Sequence, residues 1–286
     1  MAVYRRGYQK YQGPIAGRWT RCTVLPRFAW KRLFQQRMIL LVTVISMVWP
    51  LLCAVFIYLS NHADLLKGLS KQLQSFIQVN GTFFFTYMTV QSVFAVFLAA
   101  LAGPGLIAPD LANNALPLYF SRPLSRSEYV VARFATIFGI LSLVTWIPGL
   151  LLFGMQTGMS DTKWFSLNWQ LAPGMVAGFA IWLLLLSVVA LASSAYAKVK
   201  IVSGALVLGF FFILSGASVM INGVFRVTWG HALNPSWASR RIWCFLLSVD
   251  PAEGPGEVAC AAVLAGIILL LGIVLLRKLR PVEVIS

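Results

Sequence analysis

Six stretches of the chain are almost unbroken apolar runs, and the polar residues are confined to the segments between them. The runs lie at about 38–59, 82–103, 134–157, 174–197, 201–225 and 258–276. Each is close to the roughly 20 residues a helix needs to cross a bilayer's hydrocarbon core. None contains Asp, Glu, Lys, Arg or His. Lipid offers no partner for a free backbone amide, so each run is predicted to be an α-helix. One such run would also suit a buried helix of a soluble domain; six in succession do not. The predicted fold is therefore all-α, a polytopic membrane protein. Residues 38–286 form a six-span domain, and 1–37 precede it as a basic tail and amphipathic helix.

Composition agrees with this pattern. The chain has 286 residues, 59% of them hydrophobic and only 11% charged, with mean hydropathy +0.81. Soluble domains carry roughly 25% charged residues. The formal net charge of +15 is unevenly distributed. With sides alternating from a cytoplasmic N-terminus, 17 of the 23 Lys and Arg fall inside and six outside. That bias predicts a cytoplasmic location for both termini. The positive charge then serves topology and attraction to anionic membrane lipid, and calls for no nucleic acid. The first run is expected to remain as a span, since a 37-residue leader precedes it and no small-residue cleavage site follows.

The connecting segments carry their own patterns. Residues 1–23 are polar and basic, with little order expected. In 24–37, Val24, Phe28, Leu33 and Phe34 are expected to face lipid, and Arg27, Lys31, Arg32, Gln35 and Gln36 to face water, with Trp30 at the boundary. The 60–81 segment contains a weaker amphipathic stretch. The 158–173 segment holds Trp164 and Trp169, which suit an interfacial belt. Only Lys198, Val199 and Lys200 separate the fourth and fifth runs, predicting a tight hairpin. The 226–257 segment places Arg240 and Arg241 beside Trp237 and Trp243, as a short surface helix would.

Familiar catalytic signatures are missing. There is no G-x-x-x-x-G-K-[ST] phosphate loop, G-x-S-x-G, H-E-x-x-H or Cys/His cluster. His62 and His231 lie in different outer segments and read as loop residues. The four cysteines show neither metal nor redox spacing, and a Cys244–Cys260 pairing is the only disulfide weighed. No catalytic or metal-ligating residue is therefore assigned, and the chain is not expected to be an enzyme. Proton- and ion-coupled carriers usually place ionisable groups inside the membrane. Their absence from the runs argues that any transport draws its energy from elsewhere. What remains is mild polarity: Thr86, Thr89 and Gln91 in the second run, Ser215, Ser218 and Asn222 on one face of the fifth. These are candidate pathway-lining residues, with ordinary helix packing as the competing reading. Gly174 and Gly178 form a GxxxG, which also reads as packing.

The segment between the second and third runs is the most distinctive. It reads "APDLANNALPLYFSRPLSRSEYVVARF" over 108–134. Pro109 suits a first helical turn, and Asp110 complements the positive end of a helix dipole. Pro117 and Pro123 limit regular helix to short pieces. Arg133 is expected to snorkel to the headgroups. This stretch resembles the signature region of type-2 ATP-binding-cassette transporter permeases. There an acidic residue and a short helix precede a Ser-(Arg/Thr)-Pro-(Val/Leu)-Ser-Arg-x-Glu-Tyr pattern ahead of the third span. Ser121, Arg122, Pro123, Leu124, Ser125, Arg126, Glu128 and Tyr129 match it, with Asp110 at the acidic position and Arg133 at the following basic one. The chain departs at Asn114–Ala115, where many members have Gly-Thr, and at Pro117, where many have Glu.

The resemblance implies the transmembrane subunit of an exporter. Such a chain pairs with a second permease subunit, identical or different, and with separate ATPase subunits that bind ATP and Mg in the cytoplasm. No cofactor is implied on this chain. The 106–126 loop would be the coupling helix, with Asp110, Asn113, Asn114, Arg122, Pro123, Arg126 and Glu128 facing the ATPase. The 24–37 helix would be the connecting helix, and the pathway would run between permeases along the second and fifth spans. Two readings from other classes stay open. One is an ATP-independent secondary carrier; the other is a non-transporting anchor or regulatory subunit of a larger complex.

Overall fold

The computed structural model describes residues 18–62, 78–113, 125–197 and 199–278, with the side chains of 18–25 and 126 outside that description. The described residues form helices joined by short connections, with no strand among them. Six segments are long and apolar enough to cross a membrane, as the runs predict. The protein is a multi-pass helical membrane bundle.

The first helix, α1 (Arg18–Phe34), lies ahead of the spans. The six spans are α2 (Arg37–Asn61), α3 (Gly81–Ala102), the pair α5 (Arg126–Val144) and α6 (Trp146–Met159), α8 (Leu171–Tyr196), α9 (Lys200–Phe225) and α11 (Glu257–Lys278). Between them lie α4 (Ala108–Ala112), α7 (Thr162–Asn168) and α10 (Pro235–Leu246). Alternation of six spans puts α1, α4 and the α8–α9 hairpin at one end, called here the basic end. The segments at α7 and α10 occupy the opposite end.

Helix α8 is the centre of the bundle. It packs against α3, α5, α9, α10 and α11, and 67% of its apolar stretch is buried. The corresponding figure is 11% for α9 and 17% for α11, so these two present most of their apolar surface outward. Small residues let the backbones close on α8. A Cβ on Gly103 would meet Ala190 Cβ at 2.7 Å, one on Gly174 the Leu246 carbonyl at 2.6 Å, and one on Gly178 Trp243 Cδ1 at 2.7 Å. The GxxxG of the fourth run thus serves packing, and its partner is α10. Trp243 is buried and donates its indole N–H to the Gly178 carbonyl at 3.0 Å.

Several expectations are corrected here. Helix α1 starts at Arg18, so part of the segment expected to lack order is helical. Its lipid-facing set is also different: Phe28 is exposed, but Leu33 is buried, and Trp30 reaches inward to the Thr136 carbonyl at 2.9 Å. Gly139 makes room for that indole; a Cβ there would sit 2.4 Å from Trp30 Cζ2. Helix α10 is not a surface helix. Its Ala238, Ser239, Ile242 and Trp243 are buried against the bundle. The third span begins eight residues earlier than its apolar run and breaks at Thr145. Cys53, Cys244 and Cys260 are free thiols, so Cys244 and Cys260 are not paired.

The break in the third span has a local cause, and so does the buried amide beside it. Pro148 has no N–H, so the Val144 carbonyl four residues earlier lacks its helical donor. Pro50 does the same to the Ser46 carbonyl in α2. Gln91 of α3, fully buried, donates through Nε2 to both: to Ser46 O at 3.2 Å and to Val144 O. Tyr87, one turn away, donates its hydroxyl to Thr145 O at 2.7 Å. One helix thus satisfies the carbonyls that two prolines have freed on its neighbours, which an apolar interior requires.

Candidate functional site

The site most worth building is the basic end, where the connection between the second and third spans is anchored. At the end of α3 the chain turns through Gly103–Gly105 and enters α4. Leu106, Ile107 and Ala108 are fully buried or nearly so. The amides of Ile107 and Ala108 begin a helix and have no partner inside it. Both donate to Ser194 Oγ of α8, at 3.1 and 2.9 Å. The same hydroxyl donates to the Pro104 carbonyl at 3.4 Å. A side chain from another span therefore caps this segment and fixes it to the central helix.

Asp110 follows in α4 and points at α5. Its Oδ2 accepts from the Tyr129 hydroxyl at 2.7 Å and is ion-paired with Arg133 Nη2. The Arg133 guanidinium also lies over the Tyr129 ring, 5.1 Å from its centroid. Tyr129 is fully buried, and Arg133 is 8% exposed. Arg133 therefore does not snorkel to the headgroups; its charge is held inward by Asp110. Such a pair stabilises only with good geometry and added hydrogen bonds, because both charges have left water. Here Tyr129 supplies one such bond and ring contact.

The return arm is fixed in a different way. Ser125 caps α5: its Oγ accepts from the Glu128 amide at 3.3 Å, and Glu128 Oε2 accepts from the Ser125 amide at 2.8 Å. This capping box explains the Ser-x-x-Glu spacing of the sequence. Asn113 is exposed at the far side of α4 and donates to the Pro109 carbonyl at 2.9 Å. Of the residues assigned to coupling, Asp110, Asn113 and Glu128 thus gather at one end of the bundle. Asn114, Arg122 and Pro123 lie outside the described residues, as does the Arg126 side chain.

No family model matches the chain. No curated protein matches it either. The reading of the site therefore rests on its own residues and geometry.

The candidate pathway residues separate into groups. Thr86 is exposed and Thr89 partly so, each hydroxyl bonded to its own helix at 2.9 Å. Gln91 does not line an open surface; it is the buried clamp described above. In α9, Ser215 accepts from Asn234 Nδ2 at 3.1 Å, and Ser218 is fully buried. Asn222 abuts Gly230, where a Cβ would fall 2.3 Å from its Oδ1. The three face the Trp229–Leu233 turn and α10, toward the bundle's own interior. The "LNP" at 233–235 explains that side: Asn234 Oδ1 caps α10 at the Ser236 and Trp237 amides, and Pro235 takes the first helical position.

Among the described residues no group of three or more His, Cys, Asp and Glu is placed to hold a metal ion. His62 stacks on Tyr58 with centroids 4.1 Å apart, and His231 stacks on Trp237 at 5.0 Å. Burial pushes the Cys244 thiol above its ordinary range, with Arg241 and Arg240 opposing. Sequence reasoning missed Ser194, Trp30 and the role of Gln91. Only Gln91 left a signal, as an amide in a span beside two proline-bearing ones.

Proposed function

We propose that the chain is the transmembrane permease subunit of a type-2 ATP-binding-cassette exporter. In this reading the basic end faces the cytoplasm, in a plasma membrane, with both termini inside. The 106–126 connection receives force from a separate ATPase subunit. The observation that carries the proposal is the anchoring of that connection. Its entry is held to α8 by Ser194, its Asp110 is held to α5 by Tyr129 and Arg133, and its exit is capped by Ser125 and Glu128. A loop tied to two spans besides the one it leaves passes a push to the bundle, whereas a slack loop absorbs it. Of the motif-like residues, Asp110, Ser125, Glu128, Tyr129 and Arg133 take part in the fixing.

A second permease subunit is supported by α9. Its outward side presents Ile213, Met220 and Val224, and a Cβ on Gly209, Gly216 or Gly223 would meet nothing within 4 Å. That leaves a long apolar face available to another subunit.

The test uses Asn113, which is exposed and outside the ion-paired cluster. The chain is co-expressed with any ATP-binding-cassette ATPase that is encoded beside it. Asn113→Arg is expected to leave the melting temperature of the purified chain unchanged and to reduce co-purification of the ATPase, or to uncouple its hydrolysis from transport. Normal assembly and transport by Asn113→Arg would remove the coupling assignment. Transport by the chain alone would favour a secondary carrier.

A further inference from the structure

We propose that two adjoining cavities at the end opposite α1 form a binding site for an uncharged amphiphile whose head carries hydroxyl or amide groups. The larger cavity, about 540 Å³, is a cleft between α2 and α3. Its size falls in the range of roughly 300–1,000 Å³ that holds drug-sized ligands. Trp49, Leu52, Cys53 and Phe56 come from α2, and Phe83 from α3. Phe56 and Phe83 stack across it with ring centroids 5.3 Å apart. Gln78, Asn80, Thr82 and Thr86 are the other described residues of the lining.

The side-chain amides and hydroxyls of the cleft lie toward its mouth, and its deep end holds one further donor, the buried Trp49 indole N–H, with no partner among the described residues. Helix α2 climbs toward this end and α3 descends from it. Gln78, Asn80 and Thr82 therefore stand near the membrane surface, while Trp49 and Cys53 lie deeper. A ligand in this cleft has its apolar part inward and its polar part at the mouth.

The second cavity, about 360 Å³, begins where the first ends, because Gln78 and Asn80 line both. Its other polar walls are Ser60, Asn61, Gln156 and Asn168, with Trp164 alongside. Every one of these polar groups is an amide or a hydroxyl. Several are held in place by bonds within the protein. Asn61 Nδ2 donates to Gln156 Oε1 at 2.8 Å, Asn168 Nδ2 to the Trp164 carbonyl at 2.9 Å, and Trp164 Nε1 to the Val79 carbonyl at 3.0 Å. Gln156 is 4% exposed, and its Nε2 has no partner among the described residues. Fixed, unspent amide groups beside an indole suit a head with several hydroxyls. None of the described residues lining either cavity is charged. An ionised head would find no counter-charge among them and would lose its hydration without recompense.

Taken as cargo, this ligand class rests on the exporter reading; binding does not, and the test is made without the ATPase. The full chain in lipid nanodiscs is irradiated with three photoreactive probes sharing one diazirine-bearing alkyl chain: an alkyl glucoside, the alkyl phosphate and the bare alkane. Cross-links are mapped by mass spectrometry. The glucoside is expected to label the segments 49–56 and 78–86 saturably, and the other two probes to label them no more than they label the exposed face of α11 around Leu269 and Ile273. Leu52→Trp, which fills the cleft from its rim, should reduce the saturable labelling at least fivefold. Gln78→Ala should weaken it without affecting the bare alkane. Both positions are exposed, so the fold tolerates the changes. Equal saturable labelling by glucoside and phosphate would overturn the uncharged-head assignment. Labelling that never saturates, or is indifferent to Leu52→Trp, would overturn the site itself.

Discussion

Replacing Gln91 with Met tests whether one side chain repairs two proline breaks. Met has nearly the same length and volume, so the change removes the amide and leaves little cavity. It strands the Ser46 and Val144 carbonyls, whose helical donors Pro50 and Pro148 cannot supply. Interhelical hydrogen bonds in membranes average about 0.6 kcal/mol, with about 1.7 at the upper end. Two lost together therefore give a cost of about 1 to 3.5 kcal/mol. The upper part of that range is expected, since Gln91 is fully buried and the prolines deny both carbonyls their regular helical donors. The control is the background Pro50→Ala with Pro148→Ala, in which each carbonyl regains a backbone amide. There Gln91→Met should cost under about 1 kcal/mol, so the coupling in the cycle is most of the effect. Reversible unfolding in mixed micelles, followed by circular dichroism, gives the free energies. The same cost in both backgrounds would refute the clamp and leave Gln91 as a packing residue.

Two further predictions concern the basic end and the topology. Asp110→Asn removes the carboxylate charge that is paired with the nearly buried Arg133 and should destabilise the chain by about 3 kcal/mol, the low end for breaking a buried pair because both groups keep some solvent contact; adding Arg133→Met should restore part of that loss, and a double variant no better than the single would show that the pair is not the stabilising element. With the native cysteines replaced, Lys163→Cys and Arg226→Cys should react with an impermeant maleimide from outside the cell, and Lys200→Cys should not; outside labelling at Lys200→Cys would reverse the proposed orientation.

The fold was legible because its main determinant is one-dimensional. An apolar run of sufficient length must become a helix in lipid, and no partner elsewhere in the chain is needed to decide it. Span ends were less legible, since the cost of placing Arg133 near the membrane depends on Asp110, 23 residues away. Run length alone cut the third span short for that reason. The capping box at Ser125 and Glu128 is local, yet the sequence offered those residues only as part of the family-like pattern, and the cap emerged from the structure. Gln91 was not, since its two acceptors lie 45 and 53 residues away on different helices. A polar residue in a span looks like a pathway residue until the carbonyl it serves is known. Trp30 was misjudged similarly: the amphipathic pattern of α1 gave it a boundary position, but the gap left by Gly139 draws it inward.

The anchored connection and the cleft are linked through α3, which is gripped at two levels. At its basic end, Gly103 lies against Ala190, and the following residues hang on Ser194, so this end is tied to α8. In its middle, Gln91 and Tyr87 hold the places where α2 carries its proline and where the third span breaks. Beyond that level, toward the end opposite α1, α2 and α6 contribute walls to the two cavities: Phe56 and Cys53 to one, Gln156 to the other. A helix lacking one of its backbone hydrogen bonds bends more readily there than elsewhere. In the proposed coupling, a push delivered at α4 would reach α3 and α8 as a pair, with the compliant points at Pro50 and Pro148. The segments of α2 and α6 beyond those points bound the cavities together with residues 78–80, the first turns of α3 and α7. The prolines thus stand between the place where force would enter and the place where a ligand would sit, and Gln91 sets how stiffly the two are joined.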